Sequence, residues 1–144
     1  MEKDRKIYLA APWFRPNERN LYQTIAKAIR KKGYSVYVPM EHPIKDGWRM
    51  ENWEWGQRVF DEDIQAIREC DEVWVINYGL YSDSGTAWEC GYAYALGKEV
   101  TMFVNDMDKD KEYSLMMING CNRVEGLSYL ITGEYPKLID IEVK

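Results

Sequence analysis

Two neighbouring stretches decide how this chain folds: Val73-Trp74-Val75-Ile76-Asn77-Tyr78, and Asp83-Ser84-Gly85-Thr86-Ala87-Trp88-Glu89-Cys90-Gly91-Tyr92-Ala93. The first is a short apolar run of the kind that forms a buried strand. The second leads into a helix-like segment ending at Leu96-Gly97-Lys98. A buried strand that passes through a short loop into a helix is half of a parallel α/β unit. Open sheets of that kind hold their ligands at the carboxyl ends of the strands. Asp83 and Glu89, six residues apart, stand at that junction.

Working outward, the same alternation repeats. Lys6 to Ala11 reads as a first strand, ended by Pro12, which has no N–H to give a ladder. After the loop Trp13-Phe14-Arg15-Pro16, Asn17 or Asn20 is placed to cap a helix. Its apolar positions, Leu21, Ile25, Ala28 and Ile29, recur at helical spacing, and Gly33 closes it. Tyr34 to Pro39 gives a second strand. Residues 40 to 52 form a long irregular connection holding His42, the chain's one histidine, and loops of that length tend to bind or cover ligands. Trp55 to Glu69 has the stripe Val59, Phe60, Ile64 and Ile67 of a second helix.

Beyond the opening stretch, Glu99 to Val104 reads as a fourth strand and Tyr113 to Ile118 as a short helix. A weak strand near Arg123-Val124, a last helix near Leu127 to Ile131 and a polar tail from Pro136 complete the chain. Strands alternating with helices predict a single α/β domain over residues 1–144. Its sheet is five-stranded and parallel, doubly wound with helices on both faces, in the flavodoxin-like, Rossmann-like order 2-1-3-4-5. That order brings the ends of strands one and three together, and so sets Tyr8 to Phe14 beside Asp83 to Glu89.

Composition narrows the function. At 46% hydrophobic and 30% charged, the 144 residues suit one globular core. No apolar run approaches the ~20 residues of a membrane span, and the charged N-terminus is not that of a signal peptide. The net charge of −5 and the lack of a basic stripe argue against duplex nucleic acid, which is held by many Lys and Arg contacts to phosphate. Cys70, Cys90 and Cys121 are widely spaced and form no metal-type cluster, so reduced thiols in a cytoplasmic protein are expected. Six Trp, eleven Tyr and three Phe exceed the needs of a small core; some are expected at a pocket for a flat ligand or at an interface.

Several residues carry chemistry, each with a plainer alternative. Glu89 sits a few residues into a helix whose N-terminal dipoles favour the ionised carboxylate, which suits a nucleophile toward an acetal-type carbon. The alternative is a glutamate that stabilises its own helix. Asp63, four after Val59, lies near the buried edge of the second helix. Partly desolvated, it would hold a proton for a leaving group; otherwise it is a surface acid. Tyr8 needs a partner for a buried hydroxyl, and Glu89 would supply one, against simple core packing. Trp13 and Phe14 fall at the crevice rim, where a base could stack or ordinary rim packing could occur. His42 has no spacing typical of zinc ligands, and Gly79, Gly85 and Gly91 lack the Gly-Lys-Ser/Thr of a phosphate-binding loop.

Three blocks in order, Ile7-Tyr8-Leu9-Ala10-Ala11-Pro12-Trp13-Phe14, Asp63 with Asp71, and Asp83 to Ala93 with Gly97-Lys98, resemble the nucleoside 2-deoxyribosyltransferase family over residues 6 to 120. The Asp-x5-Glu-x-Gly-Tyr-Ala pattern is the most specific part. The resemblance implies an enzyme that exchanges nucleobases on 2′-deoxyribose through a deoxyribosyl ester of Glu89. It implies that Tyr8 orients Glu89, that Asp63 exchanges the base proton, and that Asp83 and Gly85 lie at the substrate. Substrates are then 2′-deoxynucleosides and free nucleobases, with no metal and no cofactor.

The position that holds the 5′-hydroxyl in the family, supplied by a neighbouring subunit, is Ser114 here rather than Asn. The resemblance therefore also implies a homo-oligomer, dimer or hexamer, with shared active sites. Ser114 is closer to the related deoxynucleoside 5′-monophosphate N-glycosidases, which hydrolyse nucleotides, and Arg15 and Arg19 suit that alternative. Asp83 opposes it, because an ionised carboxylate repels a phosphate. A non-catalytic nucleotide-sensing domain has no need of Tyr8, Asp63 and Glu89 together. Base preference does not transfer, since Glu41, His42 and Pro43 stand where the family contacts the base.

Overall fold

The computed structural model describes residues 4–108, 111–133 and 141–144. Its elements are β1 (Lys6–Ala10), α1 (Pro16–Lys31), β2 (Ser35–Tyr37), α2 (Asn52–Glu69), β3 (Glu72–Asn77), α3 (Ser84–Ala95), β4 (Glu99–Val104), β5 (Glu112–Tyr113), α4 (Leu115–Asn119), β6 (Arg123–Gly126), α5 (Leu127–Thr132) and β7 (Glu142–Val143). The main sheet is five-stranded, all its pairings are parallel, and its order is β2-β1-β3-β4-β6. This is the expected spatial order. The fifth strand is numbered β6 because the two-residue β5 precedes it in sequence and pairs elsewhere, with β7.

Alternation along each strand divides the core in two. Ile7, Leu9, Trp74, Ile76 and Phe103 face α1 and α5, packing with Tyr22, Ile25, Ile29, Leu127 and Leu130. Tyr8, Ala10, Val73, Val75, Val100, Met102 and Val104 face the other way, against Ala66 and Ile67 of α2, Cys90 and Ala93 of α3, and Met117 of α4. β3 lies at the centre and is buried at all six positions, which is why its middle, Val73 to Ile76, is a continuous apolar run rather than an alternation. Tyr8 therefore points at α2 and α3 because of its parity in β1.

Several element boundaries differ from expectation, for local reasons. α1 is capped by neither Asn17 nor Asn20: Arg15 is the cap residue, Pro16 opens the helix, and Glu18 reaches back to accept the Arg15 N–H at 2.8 Å. α2 starts at Asn52, three residues before the expected Trp55, so Trp53 and Trp55 stand exposed on a turn of helix that outruns the core. The connection before it holds two 3-10 turns, Pro39–Glu41 and Gly47–Arg49. Of the polar tail, residues 136–140 lie outside the described residues. Its last residues form β7, and Lys144 is tied down by its N–H to the Tyr113 carbonyl at 2.8 Å and by its own carbonyl to the Leu115 N–H at 2.7 Å. No described helix is long and apolar enough to cross a membrane.

Candidate active site

The site grows from one crossing. β1 and β3 pair in parallel, and α3, which follows β3, packs over β1. Tyr8 is fully buried, and its hydroxyl donates to Oε2 of Glu89, a residue 81 positions away. Burial raises the Tyr8 hydroxyl far above its ordinary value, with the Glu89 and Asp63 charges adding to the effect, so it remains a donor at any working pH.

Glu89 itself departs from expectation. Instead of being held low by the helix dipole, its carboxyl is pushed up to about 8, chiefly by burial. The Tyr8 hydrogen bond opposes that rise, while the charges of Asp63 and Asp83 reinforce it. The physical reason is position. Glu89 is in the second turn of α3, and the dipole's effect fades beyond the first, whereas loss of water acts in full.

Asp63 comes from α2 to the same place. With Gly85 and Glu89 it lines a cavity of about 490 Å³ whose remaining wall is mostly apolar, including Trp55, Phe60 and Trp88. Phe60 and Trp88 meet edge to face, with centroids 5.2 Å apart. That dry wall pushes the Asp63 carboxyl up to about 6, with Glu62 adding its repulsion. Two carboxyl groups with raised and unequal proton affinities in one cleft form a pattern suited to acid–base and nucleophilic work.

Asp83 does two things. It caps α3 through Oδ2, which accepts the Thr86 N–H at 2.8 Å and the Thr86 hydroxyl at 3.0 Å. Its Oδ1 takes no bond from the described residues. Asp83 and Phe14 line a second cavity, of about 560 Å³, at the ends of β1 and β3. Gly85 is tight there: a Cβ on it would come within 3.1 Å of the same Oδ2, so any larger residue would press on the cap.

The remaining expected residues are less central. Phe14 is 73% exposed, at the rim. Trp13 is also exposed and lines neither of these two cavities; its carbonyl and that of Phe14 accept from the Arg19 guanidinium, which ties the loop to α1. Ser114 is the cap residue of α4 and lines a third cavity with Tyr94, Leu115 and Met116, on the far side of α3 from Tyr8. Within one chain the structure does not bring it to Glu89.

Two features were not anticipated. Thr86 completes the Asp83 cap, and the Asp-x-x-Thr spacing was the available sign. Tyr37 stacks on Tyr8 with centroids 5.6 Å apart and planes at 13°. It is Tyr8's register partner on β2, so a strand alignment would have found it. His42 is an exposed residue, as expected, yet its ring stacks on the outer face of Tyr37 at 4.2 Å.

Comparison with known proteins places these residues in a wider setting. The family model for nucleoside 2-deoxyribosyltransferase matches residues 7–124. A nucleoside deoxyribosyltransferase of Lactobacillus leichmannii is 26% identical over 141 residues, covering 88% of this chain and 87% of that one. A second, from Lactobacillus johnsonii, is 24% identical over 135 residues, covering 87% and 91%. Among solved structures, the 2-deoxyribosyltransferase of Bacillus psychrosaccharolyticus superposes with a TM-score of 0.71 at 30% identity, covering 83% of this chain and 84% of that one. A CMP N-glycosidase of Clostridium botulinum shares the fold, with a TM-score of 0.59 at 20% identity over 89% of this chain and 97% of its own.

Proposed function

The chain belongs to the nucleoside 2-deoxyribosyltransferase family, and from that premise we propose that it exchanges nucleobases on 2′-deoxyribose through a covalent ester on Glu89. The observation that carries this reading is the Tyr8 hydroxyl donating to Glu89, with Asp63 facing the same cavity. In the first half-reaction the free oxygen of ionised Glu89 attacks C1′, the C1′–N bond breaks, and Asp63 gives its proton to the departing base. In the second, the incoming base attacks C1′, the ester bond breaks to return the Glu89 carboxylate, and Asp63 takes the proton that the new base loses. Proton and electron pair balance with these two carboxyl groups alone.

Tyr8 stabilises the carboxylate between turnovers and aims it. The apolar wall of Trp55, Phe60 and Trp88 offers a flat base a surface to pack on. Asp83 Oδ1 faces the sugar hydroxyls and Gly85 allows close approach, while Phe14 stands at the rim.

A second reading, hydrolysis of 5′-monophosphates, draws on Arg15 and Lys111 in the Asp83 cavity. The same cavity holds Glu18, Asp83 and Glu112. Three carboxylates against two cations make a poor seat for a phosphate dianion, so the nucleoside is favoured. Ser114, remote from Glu89 in its own chain, fits contribution to a neighbour's site, and the protein is accordingly proposed to be a homo-oligomer.

Incubation with deoxynucleosides and with their 5′-monophosphates, each with and without a second free base, separates these readings. A new nucleoside that forms only when the second base is present is the expected product. Free base released from monophosphates alone would overturn the assignment.

A further inference from the structure

We propose that Tyr37 is a positioning residue for the Tyr8–Glu89 pair, with His42 as its outer clamp. This rests on the reading of Glu89 as nucleophile and adds a part that holds the nucleophile's partner in place.

Among the described residues the Tyr8 hydroxyl has one hydrogen bond, to Glu89. Tyr8 is fully buried, so the orientation of its ring, and with it the aim of the hydroxyl, depends on what packs its faces. One face is covered by Tyr37, nearly parallel at 13°. This pairing follows from register: Tyr8 and Tyr37 are opposed across the parallel β1–β2 ladder and so project from the same face of the sheet.

Tyr37 would itself be loose, since β2 is a three-residue edge strand and none of its residues is fully buried. His42 closes the column, lying on Tyr37 with planes at 5°. His42 is in turn anchored. Its neighbour Glu41 accepts from the Arg30 guanidinium at 2.9 Å, and the same guanidinium donates to the Val36 carbonyl at 3.0 Å. A chain of contacts thus runs from the last turn of α1 through Glu41, His42, Tyr37 and Tyr8 to Glu89.

Tyr37 also stands within the field of the acid. Its hydroxyl is pushed up to about 12 by burial and then by Asp63, Glu62 and Glu69, so it stays neutral. Replacing Tyr37 by an aliphatic side chain would leave Tyr8 free to tilt and lengthen its bond to Glu89. The groups that face Glu89 are Tyr8, Asp63 and Asp83, so weakening the first leaves the two carboxylates to raise the Glu89 carboxyl further.

The test is a double-mutant cycle read by base-exchange kinetics and by isotope-edited NMR of the Glu89 carboxyl carbon across pH. Tyr37→Leu is expected to lower kcat about tenfold with KM within about twofold, and to move the Glu89 titration to higher pH. Tyr37→Phe, which keeps the ring, is expected to stay within about threefold of the parent, and His42→Ala to fall between the two. In a Tyr8→Phe background, Tyr37→Leu should add little further loss, because it acts through the Tyr8 hydroxyl.

An unmoved Glu89 titration in Tyr37→Leu, equal damage from Phe and Leu, or a full further loss in the Tyr8→Phe background would each overturn the proposal. Should Tyr37→Leu fail to fold, His42→Ala carries the same titration test from an exposed position. The NMR titration needs no turnover. Failure of the base-exchange reading would therefore show as absent activity in the parent, while failure of this proposal would show as a titration that does not move.

Discussion

Replacing Glu89 by Gln tests the electrostatics of the site most directly, because it should abolish turnover and yet stabilise the protein. In the folded chain burial pushes the Glu89 carboxyl from an ordinary 4.5 up to about 8. The folded state therefore holds a proton through a pH range in which the unfolded chain has released it. A group raised in this way contributes its full stability below about 4.5 and loses it as pH rises toward about 8. At pH 7 the loss spans the distance from 4.5 to 7; at about 1.4 kcal/mol per pH unit, that is about 3 kcal/mol. Gln has the same shape, keeps an acceptor for the Tyr8 hydroxyl, and has no proton to lose. For a domain of this size the difference amounts to roughly 10 °C in Tm. Thermal unfolding of parent and Glu89→Gln, followed in parallel from pH 5 to pH 9, should show nearly equal stability at pH 5. The variant's advantage should then widen up to about pH 8 and stay constant beyond it. A gap of the opposite slope, with the parent gaining on the variant as pH rises, would mean that the helix dipole outweighs burial, and it would refute the reasoning.

Tyr8→Phe keeps the ring and its stacking but removes the donor to Glu89. A hydrogen bond to a charged group contributes about 1.5–3 kcal/mol, so kcat/KM measured at neutral pH should drop about 10- to 100-fold, and the limb that reports Glu89 ionisation should move to higher pH. Asp63→Asn removes the proton donor and also one of the charges that raise Glu89. Nucleosides whose bases need protonation should slow by about 100-fold or more, while those with bases that leave unaided should lose little and show the Glu89 limb at lower pH; equal losses for all bases in a single-turnover assay would contradict this. Asp83→Ala loses the α3 cap and should cost about 1 kcal/mol in denaturant unfolding. Asp83→Asn keeps an acceptor for Thr86, so stability should hold while KM for deoxynucleosides rises and any discrimination against 5′-monophosphates weakens.

What could be read from the sequence was what repeats. β3 announced itself because a strand buried on both faces must be apolar throughout, and the strand order followed from the alternation of elements. With that order fixed, the meeting of Tyr8 and Glu89 followed too, since parity in β1 sends Tyr8 toward α3. What could not be read depends on many residues at once. The sign of the Glu89 shift is set by its burial, which depends on how β1, α2 and α3 close on one another and on no local pattern. The start of α2 was hidden because its first turn is exposed and lies outside the core, so no apolar stripe marks it. β5 and β7 are two residues each and exist only as a pair, beyond the reach of a local pattern. Tyr37 was legible in principle, but only after the β1–β2 register is fixed.

The raised carboxyl on Glu89 is not at odds with a nucleophilic role, and it bears on why Tyr8 and Tyr37 matter. A dry cleft makes an ionised carboxylate scarce but more basic, and hence a stronger nucleophile once formed. The productive state needs Glu89 ionised and Asp63 protonated, whereas the empty cleft, with Glu89 at about 8 and Asp63 at about 6, favours the opposite arrangement. The Asp63 charge is one of those that raise Glu89, so a proton on Asp63 favours the ionised form of Glu89. The Tyr8 bond lowers the Glu89 carboxyl, while burial, Asp63 and Asp83 all raise it. The share of molecules ready to react therefore depends on how well that single bond is aimed. Control of the aim passes outward through Tyr37 to His42, in the connection between β2 and α2. A contact with a bound base at that connection would reach the nucleophile through two stacked rings, without touching the reacting atoms.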